Sequence, residues 1–173
     1  MDDDNSLKSL MMTVLMTPDM ANFSGHVHGG AILRLLDQVA YSCAARYSGC
    51  YVVTVAADQV TFREPVNVGE LVTFRASINY TGSTSMEVGI HVEAEKIRER
   101  SSRHVMTCYF TMVAVDEHSK PTAVEPIAVV TTDERRRWAA AQLRREFRKE
   151  IEMRSLEIRR NAEDLLNAVQ SPG

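Results

Sequence analysis

The sequence predicts an α+β fold in which an antiparallel sheet curls round one long central helix, with an extra C-terminal helix beyond it. Three observations carry this. A helical run that follows Gly29 and Gly30 is apolar over a broad face. The segments after it alternate at period two and are joined by short connections, which favours antiparallel neighbours. Beyond Thr131 the chain changes to interleaved acids and bases with apolar residues at threes and fours.

Taken in order, Ser9 to Met16 ("SLMMTVLM") reads as a first strand, closed by the turn signal "TPD". Ala31, Ile32, Leu35, Leu36, Val39, Ala40, Cys43 and Ala44 then trace the buried face of the helix. Gly49 suits its left-handed cap. Tyr51 to Phe62 is rich in β-branched residues and reads as a long strand. In "ELVTFRASINY", Val72, Phe74, Ala76, Ile78 and Tyr80 share one face. After the turn "TGSTS", Met86, Val88, Ile90, Val92 and Ala94 point inward, with Glu87, His91, Glu93 and Glu95 outward. "HVMTCYFTMVAV" is apolar on both faces, as a strand with neighbours on either side should be.

Two prolines mark the linker Lys120 to Thr132. Thr131 and Glu134 have capping-box spacing at the head of the last helix. Leu143, Phe147, Ile151, Ile158, Ala162, Leu165 and Val169 form its apolar stripe, suited to the domain's own surface, to a partner helix or to a membrane surface. Residues 1–126 are therefore assigned to the sheet-and-helix domain and residues 127–173 to linker and charged helix.

Bulk properties exclude several classes. A net charge of -3 gives no reason to expect nucleic acid. Three cysteines in no paired spacing argue against a disulfide framework or a zinc knuckle. "MDDDN" lacks the order of a signal peptide, and no apolar run approaches the roughly 18 residues of a membrane span. The expectation is a cytoplasmic protein.

The chemistry concentrates in "NFSGHVHGGAILRLLD". Glycines at a helix start allow close approach to amides that have no intrahelical partner, a donor site for an oxygen gaining negative charge. Alternatively Gly29 and Gly30 only permit the turn into the helix. Asp37, among Leu33, Leu36 and Ala40, is expected in a setting where burial penalises its charge. It serves either as a base or nucleophile beside those amides, as a partner of Arg34, or on a narrow polar stripe with Arg34, Gln38 and Tyr41. His26 and His28 lack the spacing of a metal pair, and no metal is expected. Serine-elbow, Walker and dinucleotide-binding patterns are absent.

The stretches "NFSGHVHGGAILRLLDQVAYSCAARYSG", "VVTVAADQVTFREPVNVGELV" and "YTGSTSMEVGIHVEAE" resemble the hot-dog-fold acyl-CoA thioesterases, in particular the hexameric acyl-CoA hydrolases that include the brain-type cytosolic enzymes. The resemblance spans roughly residues 10–126. It implies hydrolysis of fatty acyl-CoA to fatty acid and CoA, with no separate cofactor. It also implies a homo-oligomer, a dimer at minimum and a trimer of dimers in full, with the active site at the dimer interface. By position, Asn22 and Asp37 match the catalytic pair, one from each subunit. Gly29 and Gly30 match the start of the helix that polarises the thioester carbonyl, and His28 shapes that loop. Arg63 and Thr81, Gly82, Ser83 and Ser85 fall where the family approaches CoA. Rival readings are a hot-dog hydratase or dehydratase using His28 with Asp37, and a non-catalytic acyl-CoA-binding regulator.

Overall fold

A computed structural model describes residues 7–170; the acidic stretch at residues 1–5 and the side chains of Leu165 and Val169 lie outside the described residues. The chain falls into two compact units, Met1–Ala128 and Val129–Gly173.

In the first unit, β1 (Ser9–Leu15) leads through a 3-10 turn at Pro18–Met20 to α1 (Gly29–Ser48), followed by β2 (Tyr51–Ala57), β3 (Leu71–Thr81), β4 (Ser85–Lys96) and β5 (Ser101–Val115). The five strands form one sheet in the order β1-β3-β4-β5-β2, every pair antiparallel. α1 packs against all of them. This is the hot-dog architecture, a sheet wrapped round one helix.

Alternation decides which side of each strand meets α1. Val72, Phe74, Ala76 and Ile78 of β3 join Met86, Val88, Ile90, Val92 and Ala94 of β4 and Met106, Cys108, Phe110 and Met112 of β5 in one core. Ile32, Leu35, Leu36, Val39, Ala40, Cys43 and Ala44 of α1 fill it from inside. Truncating a fully buried member such as Leu36 to alanine costs about 2–5 kcal/mol. α1 ends as expected, with Gly49 at φ 66° donating its amide to Ala45 O.

Four details depart from the sequence reading. The first strand ends at Leu15, because the Met16 amide turns to Glu70 O. β2 stops at Ala57 rather than Phe62. A bulge between Thr54 and Ala56 bends it, and after the Asp58 amide bonds Tyr109 O the chain leaves the sheet. A second bulge, between Ile78 and Tyr80, sets Tyr80 opposite Glu87 instead of continuing the Ile78 face. Glu87, expected outside, is buried, its Oε1 receiving the Asn79 side-chain amide at 3.4 Å.

The second unit holds α2 (Thr132–Gln170). Its capping box closes in both directions: Glu134 donates its amide to Thr131 Oγ1 at 3.1 Å, and Glu134 Oε2 receives the Thr131 amide at 2.8 Å. Leu143, Phe147, Ile151 and Ile158 of its stripe are exposed. No helix among the described residues is long and apolar enough to cross a membrane.

Candidate active site at the start of the central helix

The loop entering α1 is folded by Asn22. Its Oδ1 accepts the amides of Ser24 (2.9 Å) and His26 (3.1 Å), while its own amide donates to His26 O at 2.7 Å. Gly25, at φ 80°, supplies the left-handed residue that this tight loop requires.

His28 caps the helix. Its Nδ1 accepts the Gly30 amide at 2.9 Å, which fixes the neutral ring with its proton on Nε2. His26 has the opposite arrangement. The Asn67 side-chain amide is spent on Glu70 Oε1, so Asn67 Oδ1 faces His26 and receives the Nδ1 proton across 2.8 Å. Of the two glycines, Gly30 thus has its amide engaged by a ring nitrogen. The Gly29 amide has no hydrogen bond among the described residues. A cleft of about 500 Å³ opens at this helix end, lined by Asp19, Met20, Ala21, His28, Gly30, Ala31 and Arg34.

Asp37 lies on the same helix face, since residues 30, 34 and 37 recur at threes and fours. The expected burial is not found: Asp37 is exposed, in line with Leu33, Arg34, Gln38 and Tyr41. It lies on the exposed stripe with Arg34, Gln38 and Tyr41, a placement compatible with a role as base or nucleophile. Among the described residues there is no Arg34–Asp37 ion pair. Instead Asp37 Oδ1 accepts the hydroxyl of Thr54 at 2.6 Å, a short charge-assisted bond.

Thr54 sits on β2, an edge strand of the sheet. On the exposed face of α1 and along β2, Leu33, Tyr41, Tyr51, Val53 and Val55 are all exposed, Tyr51 and Val55 by more than 60%. The Tyr41 and Tyr51 rings meet edge to face at 5.8 Å. An unpaired strand edge beside such an apolar surface is a surface built to be covered. Thr54 was not singled out from the sequence. Its only signal there is a lone hydroxyl in the apolar run "VVTVAA".

Arg63 is exposed in the loop between β2 and β3. The turn at residues 81–85 lies at the other end of β3, about 33 Å along the strand from Leu71. It is strapped down rather than open. Thr81 Oγ1 accepts the Ile127 amide at 2.9 Å, Ser83 O accepts the Val124 amide at 3.0 Å, and the Gly82 amide closes on Ser85 O at 2.7 Å. One chain therefore brings His28, Gly29 and Gly30 together and sets Asp37 farther along the same helix, while the 81–85 turn stands apart from them.

The sequence reading also missed a buried ion pair below the Asn22 loop. Glu70, 4% exposed, receives Arg103 at both oxygens, at 2.8 and 2.9 Å, and the Asn67 backbone amide at 2.9 Å. Burial alone raises the Glu70 pKa. The hydrogen bonds from Arg103 and Asn67 outweigh it and hold the carboxyl at about 2. Burial pushes the thiols of Cys43 and Cys108 up to about 12, which disqualifies both as thiolate nucleophiles. Among the described residues no three His, Cys, Asp or Glu side chains are grouped to hold a metal.

Residues 24–101 match the thioesterase superfamily. Protein VdlD of Helicobacter pylori is 50% identical over 139 residues, 80% of this chain and 79% of that one. An apo-hexameric acyl-CoA thioesterase superposes with a TM-score of 0.79 at 32% identity, over 82% of this chain and 91% of that one. The acyl-CoA hydrolase of Staphylococcus aureus, solved in complex with butyryl coenzyme A, coenzyme A and coenzyme A disulfide, gives a TM-score of 0.80 at 26% identity, over 93% and 96% of the two chains. That hydrolase has also been solved as alanine variants at an asparagine, an aspartate and a threonine, which are 15 and 17 residues apart in its sequence. The chain belongs to the thioesterase superfamily and, within it, to the hot-dog-fold acyl-CoA thioesterases.

Proposed function

We propose that this protein hydrolyses fatty acyl-CoA to a free fatty acid and CoA, at a site completed where two copies pair along β2, with Asp37 activating the attacking water. The observation that carries this reading is the Thr54–Asp37 hydrogen bond. It fixes a carboxylate on an exposed helix face two turns from the Gly29 amide, which has no hydrogen bond among the described residues. Asn22, Asp37 and Thr54 are spaced in this chain as the three replaced residues are in the Staphylococcus aureus hydrolase.

The thioester carbonyl docks at the start of α1. The Gly29 amide is ready to receive it. The Gly30 amide exchanges His28 Nδ1 for the substrate oxygen, a better acceptor once it carries charge. One such donor is worth about 3 kcal/mol in comparable acyl-transfer sites. Water adds to the carbonyl carbon while Asp37 takes its proton, a contribution typically of about 10²–10⁴-fold. Asn22 of the second copy orients that water. Collapse of the tetrahedral intermediate breaks the C–S bond, and the proton held by Asp37 passes to the departing thiolate. CoA enters with the substrate and leaves as product, so no further cofactor takes part.

Arg63 and the turn containing Thr81, Gly82, Ser83 and Ser85 are assigned to CoA. Their separation within one chain calls for one of them to come from a neighbouring subunit. The thioesterase domain is residues 1–126, the helix beyond residue 127 stands outside the chemistry, and the working assembly is a trimer of dimers in the cytoplasm.

The test is thiol release from a panel of acyl-CoA substrates, followed with a chromogenic disulfide. Steady turnover in the native protein and its loss in Asp37→Ala, with substrate binding retained, are expected. Saturable acyl-CoA binding without thiol release would instead identify a regulator.

A further inference from the structure

Outside the helix face, one chain of hydrogen bonds ends at the loop that carries Asn22. Glu70 stands just before β3 and is almost wholly buried. Arg103 of β5 grips both its oxygens and also donates to Pro65 O at 2.6 Å, so the guanidinium fixes the 65–70 turn at two points. Glu70 in turn holds Asn67 by backbone amide (2.9 Å) and side-chain amide (3.2 Å). That leaves Asn67 Oδ1 aimed at His26 Nδ1, 2.8 Å away. The amide of His26 donates to Asn22 Oδ1 and its carbonyl accepts from the Asn22 amide. Alongside, the Val27 amide bonds Val66 O at 2.8 Å, which stitches the same two segments.

We infer that Arg103, Glu70, Asn67 and His26 form a positioning relay that sets the Asn22 loop in register for the reaction. This rests on the reading of Asn22 given above. None of the four need touch the thioester; they act through Asn22.

Three facts favour a relay over a merely structural ion pair. The pair is not closed on itself, because both oxygens of Glu70 also serve Asn67. The terminal link is an exposed side chain, His26, whose removal leaves no cavity in the core. The tip of the loop it steadies stands in solvent: Phe23 is fully exposed, and Gly25 has open space around it. A buried, bidentate anchor that reaches such a loop through planar amide and imidazole groups fixes both distance and direction.

The experiment measures kcat, KM and thermal stability for His26→Ala, His26→Asn and Asn67→Ala, each alone and combined with Asn22→Ala. His26→Ala and Asn67→Ala should lower kcat about tenfold to a hundredfold while KM stays within about twofold, as expected when a reacting group is slightly misplaced. His26→Asn keeps a donor at the Nδ1 position and should recover most of the loss. In the Asn22→Ala background the relay substitutions should lower kcat no further, since their effect passes through that residue. Normal kcat in His26→Ala and Asn67→Ala, or losses that simply multiply with Asn22→Ala, overturns the relay and leaves the role of Asn22 standing. Normal kcat in Asn22→Ala alone overturns both, and is told apart because it appears in the single variant. A stability loss with unchanged kcat reduces the pair to a structural one and also refutes the proposal.

Discussion

The Thr54 hydroxyl donates to Asp37 Oδ1 across 2.6 Å, tying the edge strand β2 to the polar face of the helix it covers. A hydroxyl that donates to a carboxylate leaves the second oxygen free to accept a proton from water. It also holds the carboxylate in one rotamer. Hydrogen bonds to charged groups contribute about 1.5–3 kcal/mol. Thr54→Val preserves shape and strand propensity but removes the donor, so kcat should fall about tenfold to a hundredfold with little change in KM. Thr54→Ser should keep most of the activity. Steady-state kinetics on the two variants check this, and equal activity in valine and serine forms would exclude the bond from the reaction.

The strands were legible in the sequence wherever apolar residues alternate, as in β4, where Met86, Val88, Ile90, Val92 and Ala94 recur at every second position. Alternation names the side of the sheet, not whether that side is covered, which is why Glu87 was placed in solvent and is in fact buried. It also fails at a bulge, as at Asn79, where one extra residue reverses the faces. The helix start was legible because Gly29, Gly30 and His28 act on neighbours within two residues. Thr54 and the Glu70–Arg103 pair were not, because their partners are 17 and 33 residues away and meet only once the sheet has curled. Burial of Asp37 was expected, beside the alternative of a polar stripe, for a related reason. An apolar helix suggests cover on most sides, whereas the sheet of one chain leaves the face that carries Leu33, Asp37 and Tyr41 open.

If Asn22 of one subunit and Asp37 of the other share a site, two dead variants can make a live one. A mixed dimer of Asn22→Ala and Asp37→Ala contains one site lacking both residues and one lacking neither. With random exchange half the dimers are mixed, so activity should return to about a quarter of the native value. Exchange is verified with differently tagged subunits. No recovery despite proven exchange would place both residues in the same subunit's site.

The exposed edge of β2 makes a separate prediction. Val55 is 61% exposed, so lysine there leaves the core untouched but places charge where a second strand should pair. Val55→Lys should give a folded protein of unchanged circular dichroism that sediments as a smaller species and has lost thiol-releasing activity. A substitution to threonine should leave assembly intact. Persistence of the native assembly and activity in the lysine variant would move the dimer contact away from β2.

Acid should act on this protein partly through Glu70. Its carboxyl titrates at about 2 in the fold against an ordinary value of 4.5, so the folded state favours the ionised form. The contribution to stability is complete above the ordinary carboxylate range. It declines as pH falls below about 4.5 and is gone near 2, since the unfolded chain takes up the proton first. A shift of this size corresponds to about 3 kcal/mol at neutral pH. Glu70→Gln removes the titrating group and also leaves the Arg103 guanidinium, itself partly buried, without its counter-charge. Denaturant unfolding at neutral pH should therefore show the variant less stable by at least that amount. The gap to the native protein should narrow steadily between pH 4.5 and pH 2. A gap that stays constant over that interval would mean that Glu70 carries its charge no more readily in the fold than in the unfolded chain, contrary to the geometry of its four hydrogen bonds.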